Sequence, residues 1–201
     1  MHPKPGVIWW MSAAACVSVL LSMVALTAFG RNERGLDAAL MLTGRWAFLL
    51  FWPAYAGAGL VALLGGGFGF LKRFGREFGL AFAAAMLVHV GLICWLCVIG
   101  AAPATGVFLF FGPGLVCIYT LALFSLANLQ RRLGRRSWWL LRTVAMNYIA
   151  YAFATDFLSN PFGGGLRHMV LYAPFALLSM LGFAAYASAQ FISTRKALMA
   201  T

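Results

Sequence analysis

Charged side chains are scarce in this chain, and acidic ones are scarcer still. Of its 201 residues, 9% are charged and only 4 are Asp or Glu, whereas 63% are hydrophobic. So few polar groups cannot cover the surface of a soluble globule of this size. The composition therefore predicts an integral membrane protein whose main surroundings are the lipid bilayer.

Alternating strands and a separate polar region are also missing. Segments of about ten alternating residues, which are typical of barrel strands, do not occur, so helices are the structure that satisfies this backbone in lipid. Six apolar blocks are long enough to cross a bilayer. We expect an all-α, polytopic protein forming a single six-helix transmembrane bundle. The predicted spans are approximately 7–29, 46–64, 79–100, 106–127, 138–158 and 168–191.

The first span has a second interpretation, because small residues near its end could belong to a cleaved signal peptide. Its apolar run is longer than the usual core of about 7–15 residues, and Lys4 is the one lysine before it. We therefore interpret 7–29 as a span. A short interfacial helix is expected in the connection 30–45, and span four is expected to be bent or broken near Pro113.

Basic residues give the chain a net charge of +11. They cluster at the ends of the apolar spans and form no separate patch with interleaved aromatic residues, so we expect no nucleic-acid partner. In a six-span chain, eleven of the 15 Lys and Arg residues lie on the side that holds both termini. The positive-inside rule then places both termini in the cytoplasm.

The most basic segment lies before the fifth predicted span. It is interpreted as a topology anchor, with docking of an acidic partner or an anionic lipid as the alternative. Its arginines are Arg131, Arg132, Arg135 and Arg136.

Cysteine does not indicate a disulfide scaffold here. The four cysteines, Cys16, Cys94, Cys97 and Cys117, all lie within predicted spans, where neither a disulfide scaffold nor a zinc site is expected. Cys94 and Cys97 have the spacing of a redox or zinc motif. In a lipid-embedded helix we interpret them as two small apolar residues.

Few ionisable groups lie inside the predicted spans, and each is a functional-site hypothesis. His89 lies about 15 Å along the third span, near the middle of the bilayer. From the residues alone it is either a haem ligand or a buried, hydrogen-bonded histidine. Asp156, near the end of the fifth span, either pairs with Arg167, His168 or water, or belongs to a proton or ion path. No hydrolytic motif is present, so no catalytic residue is assigned.

Three segments near the starts of predicted spans form a recognisable set. The second span is entered through Leu42-Thr43-Gly44-Arg45-Trp46-Ala47. The lead-in to the third span is Arg76-Glu77-Phe78-Gly79-Leu80, and His89 follows ten residues after Gly79. The fifth span is approached through Leu133-Gly134-Arg135-Arg136-Ser137-Trp138. In this order they resemble the ferric reductase-like transmembrane domain family, over about residues 35–158. The branch they resemble most is similar to the bacterial haem-binding membrane subunit of the periplasmic methionine sulfoxide reductase system.

The resemblance implies an inner-membrane, multi-pass protein with b-type haem between the third and fifth spans. His89 matches the family's third-span haem ligand and would bind the haem iron. The two histidines expected on the fifth span are replaced by Leu141 and Ala154, which cannot coordinate iron. His168 or Met146 would then have to serve as the second ligand.

Three functions are left open. The first is a b-haem electron-transfer subunit, which would need a separate redox partner because the chain has no flavin or nicotinamide domain. The second is a cofactor-free membrane interaction or assembly subunit. The third is a small transporter or proton path that uses His89 and Asp156.

Overall fold

A computed structural model describes residues 5–159 and 165–198 of the chain. Over these residues the protein is all-helical, with 91% helix and no strand, so the expected fold class is confirmed at this level. Two short 3₁₀ turns, Gly66–Phe68 and Leu129–Arg131, lie between helices. The helices are α1 Pro5–Phe29, α2 Glu33–Leu64, α3 Gly69–Arg73, α4 Gly75–Val98, α5 Thr105–Leu126, α6 Arg135–Leu158 and α7 Gly165–Leu198.

Five of these helices, α1, α2, α4, α5 and α7, are long and apolar enough to cross a membrane. They contain the predicted spans 7–29, 46–64, 79–100, 106–127 and 168–191, apart from a residue or two at some ends. The remaining predicted span, 138–158, lies in α6. This helix is also long, but it carries more polar side chains and is not among the five.

The helix α2 begins much earlier than the predicted second span. Asn32 caps its first turn, since the Asn32 side chain accepts a hydrogen bond of 3.1 Å from the backbone N–H of Gly35. The connection 30–45 therefore contains no separate interfacial helix, and most of it forms the first turns of α2. A stripe of fully buried residues explains why the helix continues, because it runs unbroken at intervals of three and four residues. Its members are Leu36, Ala39, Thr43 and Ala47.

The centre of the bundle is α2, which packs against α1, α4 and α7. It runs antiparallel to α4, and their contacts keep one register. Thr43 meets His89 near one end, Phe51 meets Phe82 in the middle, and Ala54 approaches Gly79 near the other end. This register places His89 on the side of α4 that faces α2.

A cluster of five phenylalanines fills the space where α2, α4 and α6 meet. Neighbouring ring centroids in it lie 5.0 to 6.1 Å apart. These separations are typical of tilted and edge-on aromatic packing. The members of this phenylalanine cluster are Phe48 and Phe51 from α2, Phe82 from α4, and Phe153 and Phe157 from α6.

Two helices continue through internal prolines, with support from a neighbouring helix. The helix α5 passes through Pro113 without a break, and Tyr148 of α6 donates a 2.7 Å hydrogen bond to the carbonyl of Phe110. In α7, Arg45 Nε donates a 3.2 Å bond to the carbonyl of Leu171, three residues before Pro174. Proline disturbs the helical hydrogen bonds around it, and side chains from adjacent helices can satisfy carbonyls in that turn.

Candidate functional site

His89 is held by two residues of the segment Leu42–Ala47. Its Nδ1 lies 2.9 Å from the hydroxyl of Thr43, and Gly44 leaves the room beside the ring. A Cβ built on Gly44 would lie 3.5 Å from His89 Cε1, in ordinary van der Waals contact with the ring. Two segments that the sequence singled out separately, one on α2 and one on α4, therefore meet in the structure.

The Thr43 hydroxyl determines what the other imidazole nitrogen can do. Thr43 Oγ1 also lies 2.8 Å from the carbonyl of Ala39 in the preceding turn. When the hydroxyl donates to that carbonyl, it accepts the proton of His89 Nδ1, and Nε2 keeps its lone pair. Metal-ligating histidines are commonly oriented in this way, and so are buried histidines with purely structural roles. The contact fixes the imidazole in either case.

The positions at which the family has fifth-span histidines do not lie at the depth of His89. Ala154 is buried beside Phe153, and the ring of Phe153 is 6.0 Å from that of Phe82 on α4. His89 is seven residues beyond Phe82, or roughly 10 Å along the helix. Leu141 lies more than three further turns towards the start of α6.

A haem between α4 and α6 does not fit at the level of Phe82 and Phe153. The phenylalanine cluster occupies this space, since Phe51 lies 5.3 Å from Phe82 and 5.7 Å from Phe153, centroid to centroid. A flat macrocycle between the two helices would require these rings to move apart. Within the described ranges, no group of three or more His, Cys, Asp or Glu side chains could hold a metal ion.

His168 lies on the other side of α2 from His89. Its ring stacks on Tyr172 at 4.2 Å, and the Arg45 guanidinium lies over the Tyr172 ring, 4.7 Å from its centroid. Thr43 and Arg45 are two residues apart on α2, so their side chains point about 200° apart around the helix. The structure therefore does not bring His89 and His168 together.

Met146 is also distant from His89. It lines a cavity at the end of the bundle where α4 and α6 begin, and the α4 residues of that cavity extend from Gly75 only as far as Phe82. His89 does not line it.

Arg45 belongs to the segment Leu42–Ala47, but the sequence assigned it no role of its own. It is 9% exposed, and its guanidinium donates to the carbonyls of Leu171 and Met41. Its Nη2 is buried and has no hydrogen-bond partner among the described residues. The signal was the absence of proline between Glu33 and Arg45, which allows one helix to carry this arginine into the bundle.

Asp156 and the cysteines do not extend the histidine site. Asp156 lies in the last turn of α6 and interacts electrostatically with Arg45, on the side of α2 away from His89. The predicted pairing with Arg167 involves a side chain outside the described residues. Cys94 and Cys97 are exposed free thiols on α4.

Comparison of the chain with protein-family models, with curated proteins and with solved structures finds no match in any of the three.

Proposed function

We propose that this protein is a six-span inner-membrane protein of ferric reductase-like architecture that acts as a cofactor-free interaction subunit. One observation carries the proposal. The phenylalanine cluster fills the space between α4 and α6 at the level of Phe82 and Phe153, and the positions at which the resemblance implies haem ligands are Leu141 and Ala154.

The helix α6 is the sixth span in this proposal. Its 24 residues extend roughly 36 Å, enough to cross a hydrocarbon core of about 30 Å. It packs alongside α5 and α7, and it begins with Arg135 and Arg136. Basic residues at this end agree with a cytoplasmic start for the span and with cytoplasmic termini.

The same helix supports a membrane-protein partner. Tyr151 and Thr155 are exposed on α6, and polar side chains are unfavourable when they face lipid. The Thr155 hydroxyl donates to the Tyr151 carbonyl within the helix. A partner helix that offers hydrogen-bonding groups to this face would remove them from lipid.

Site-specific photo-crosslinking in native membranes tests this contact. A photoreactive residue in place of Thr155 should give one discrete protein adduct, whereas the same residue in place of Leu20, an exposed position on α1, should give none. Purification of a monodisperse monomer with no adduct from Thr155 would contradict the interaction subunit.

A b-haem electron-transfer subunit is the second candidate function, favoured by the hydrogen bond between Thr43 and His89. Reduced-minus-oxidised visible spectra of the protein, purified from cells supplied with excess haem, separate the two. We expect no Soret or α-band difference signal, because phenylalanine rings fill the space for the macrocycle. A signal that is lost in His89→Ala and kept in His168→Ala would establish the haem function and overturn the cofactor-free proposal.

A further inference from the structure

A basic cavity lies at the end of the bundle where α4 and α6 begin. It has a volume of about 310 Å³ and is lined by four cationic side chains, Lys72, Arg73, Arg76 and Arg142. None of its lining residues, all within the described part of the chain, is acidic. The cavity therefore concentrates positive charge without an internal counter-ion.

One wall of this cavity is held rigidly. Arg76 Nε donates a 3.1 Å hydrogen bond to the Ser125 hydroxyl, and Arg76 Nη2 donates a 2.9 Å bond to the Ser125 carbonyl. An arginine that binds the last carbonyls of a helix also interacts favourably with the helix dipole. The contact ties the start of α4 to the end of α5 and fixes one cation at the cavity.

The floor of the cavity is apolar, in contrast to its rim. Leu80 and Phe82 from α4, Ile118 from α5 and Met146 from α6 form part of it. Trp138 lines the cavity near the start of α6, and tryptophan is enriched at the level of lipid headgroups. An anion that binds here would meet cations at one end and hydrocarbon at the other.

We infer that this cavity binds the headgroup of an anionic phospholipid, with the phosphate among the basic side chains and the start of the acyl chains against the apolar floor. Basic pockets between transmembrane helices are suited to such headgroups. The last basic side chain that α4 contributes to the site is Arg76, more than three helical turns from His89. The apolar floor shares Phe51 and Phe82 with the phenylalanine cluster, but the basic side chains do not depend on the cluster, so the site is compatible with any of the functions considered for the bundle.

Native mass spectrometry of the full-length protein in uncharged detergent tests the site. The probes are dioctanoyl phosphatidylglycerol, dioctanoyl phosphatidylcholine and inorganic phosphate. We expect a one-to-one adduct with phosphatidylglycerol at concentrations that give little adduct with the other two. Equal competition by inorganic phosphate would show a free-anion site and overturn the lipid assignment.

A charge-matched pair of variants locates the binding. Lys72→Gln with Arg142→Gln should weaken the phosphatidylglycerol adduct by about 25-fold, from about fivefold for each basic group near the membrane surface. Arg131→Gln with Arg132→Gln removes the same charge outside the cavity and should change binding less than twofold. An equal loss in both pairs would mean diffuse surface attraction and would overturn the site.

A charge-neutral pair keeps the test independent of any folding defect in the charge variants. Ala122 lines the cavity, so Ala122→Phe should fill it and abolish the adduct. Val116 lies on the exposed face of α5, and Val116→Phe should leave the adduct intact. Retention of binding in a monodisperse Ala122→Phe protein would overturn the proposal.

Discussion

The hydrogen bond between Thr43 and His89 can be measured at the scale of the two residues. Thr43→Val keeps the shape of the side chain but removes the hydroxyl that contacts His89 Nδ1. We expect this variant to lower the free energy of unfolding by about 0.5–2 kcal/mol, and Thr43→Ser to retain most of the stability. Denaturation of the purified protein in detergent, followed by circular dichroism, measures both.

A double-mutant cycle assigns this loss to the pair. Thr43→Val and His89→Leu should be non-additive, because each removes the same contact. Additive losses would mean that the two side chains stabilise the protein separately, and that His89 is not positioned through Thr43.

At this scale the sequence predicted the histidine but not its partner. His89 could be singled out because it interrupts an apolar run. Its contact with Thr43 depends on the antiparallel register of α2 and α4, which arises from packing along the length of both helices. The cavity was missed for the same reason, since Lys72, Arg76 and Arg142 come together only when three helices assemble.

At the scale of helices, Gly59 marks a close approach of α2 to α7. A Cβ built on Gly59 would overlap the carbonyl of Ala185, whereas a Cβ on Gly91 of α4 would meet nothing within 4 Å. Gly59→Ala should therefore lower the free energy of unfolding by about 1–3 kcal/mol through overpacking. Gly91→Ala should raise it by about 0.4–1 kcal/mol, because it restricts the unfolded chain without a clash.

The two substitutions are chemically identical and differ only in their surroundings. Thermal unfolding of both variants in the same detergent compares them directly. Equal stabilisation by the two would show that α2 and α7 do not approach closely at Gly59.

Hydropathy predicted the approximate positions of the long helices, because each apolar block is bounded by Gly, Pro or charged residues. It failed for residues 33–45, where Glu33, Arg34 and Asp37 lower the hydropathy although the helix continues. The buried stripe through Leu36, Ala39 and Thr43 decides the outcome there. The helical spacing of these buried residues is visible in the sequence, but the charged residues between them lower the mean hydropathy of the segment.

At the scale of the whole molecule, α6 decides on which side of the membrane the chain ends. Six crossings place both termini on one side, whereas five place them on opposite sides. We expect a C-terminal fluorescent-protein fusion to be bright and a C-terminal alkaline phosphatase fusion to be inactive, as cytoplasmic termini require. An active phosphatase at the C-terminus, with a cytoplasmic N-terminus, would show that α6 does not cross.

The proline turns of α5 and α7 have a consequence for biosynthesis. The Phe110 carbonyl of α5 receives its side-chain donor from Tyr148, 38 residues later, so α5 is synthesised before its partner. The Leu171 carbonyl of α7 instead meets Arg45, made 126 residues earlier. The Arg45 guanidinium is therefore synthesised well before its acceptor, and its hydrogen bond to α7 can form only after α7 has been made.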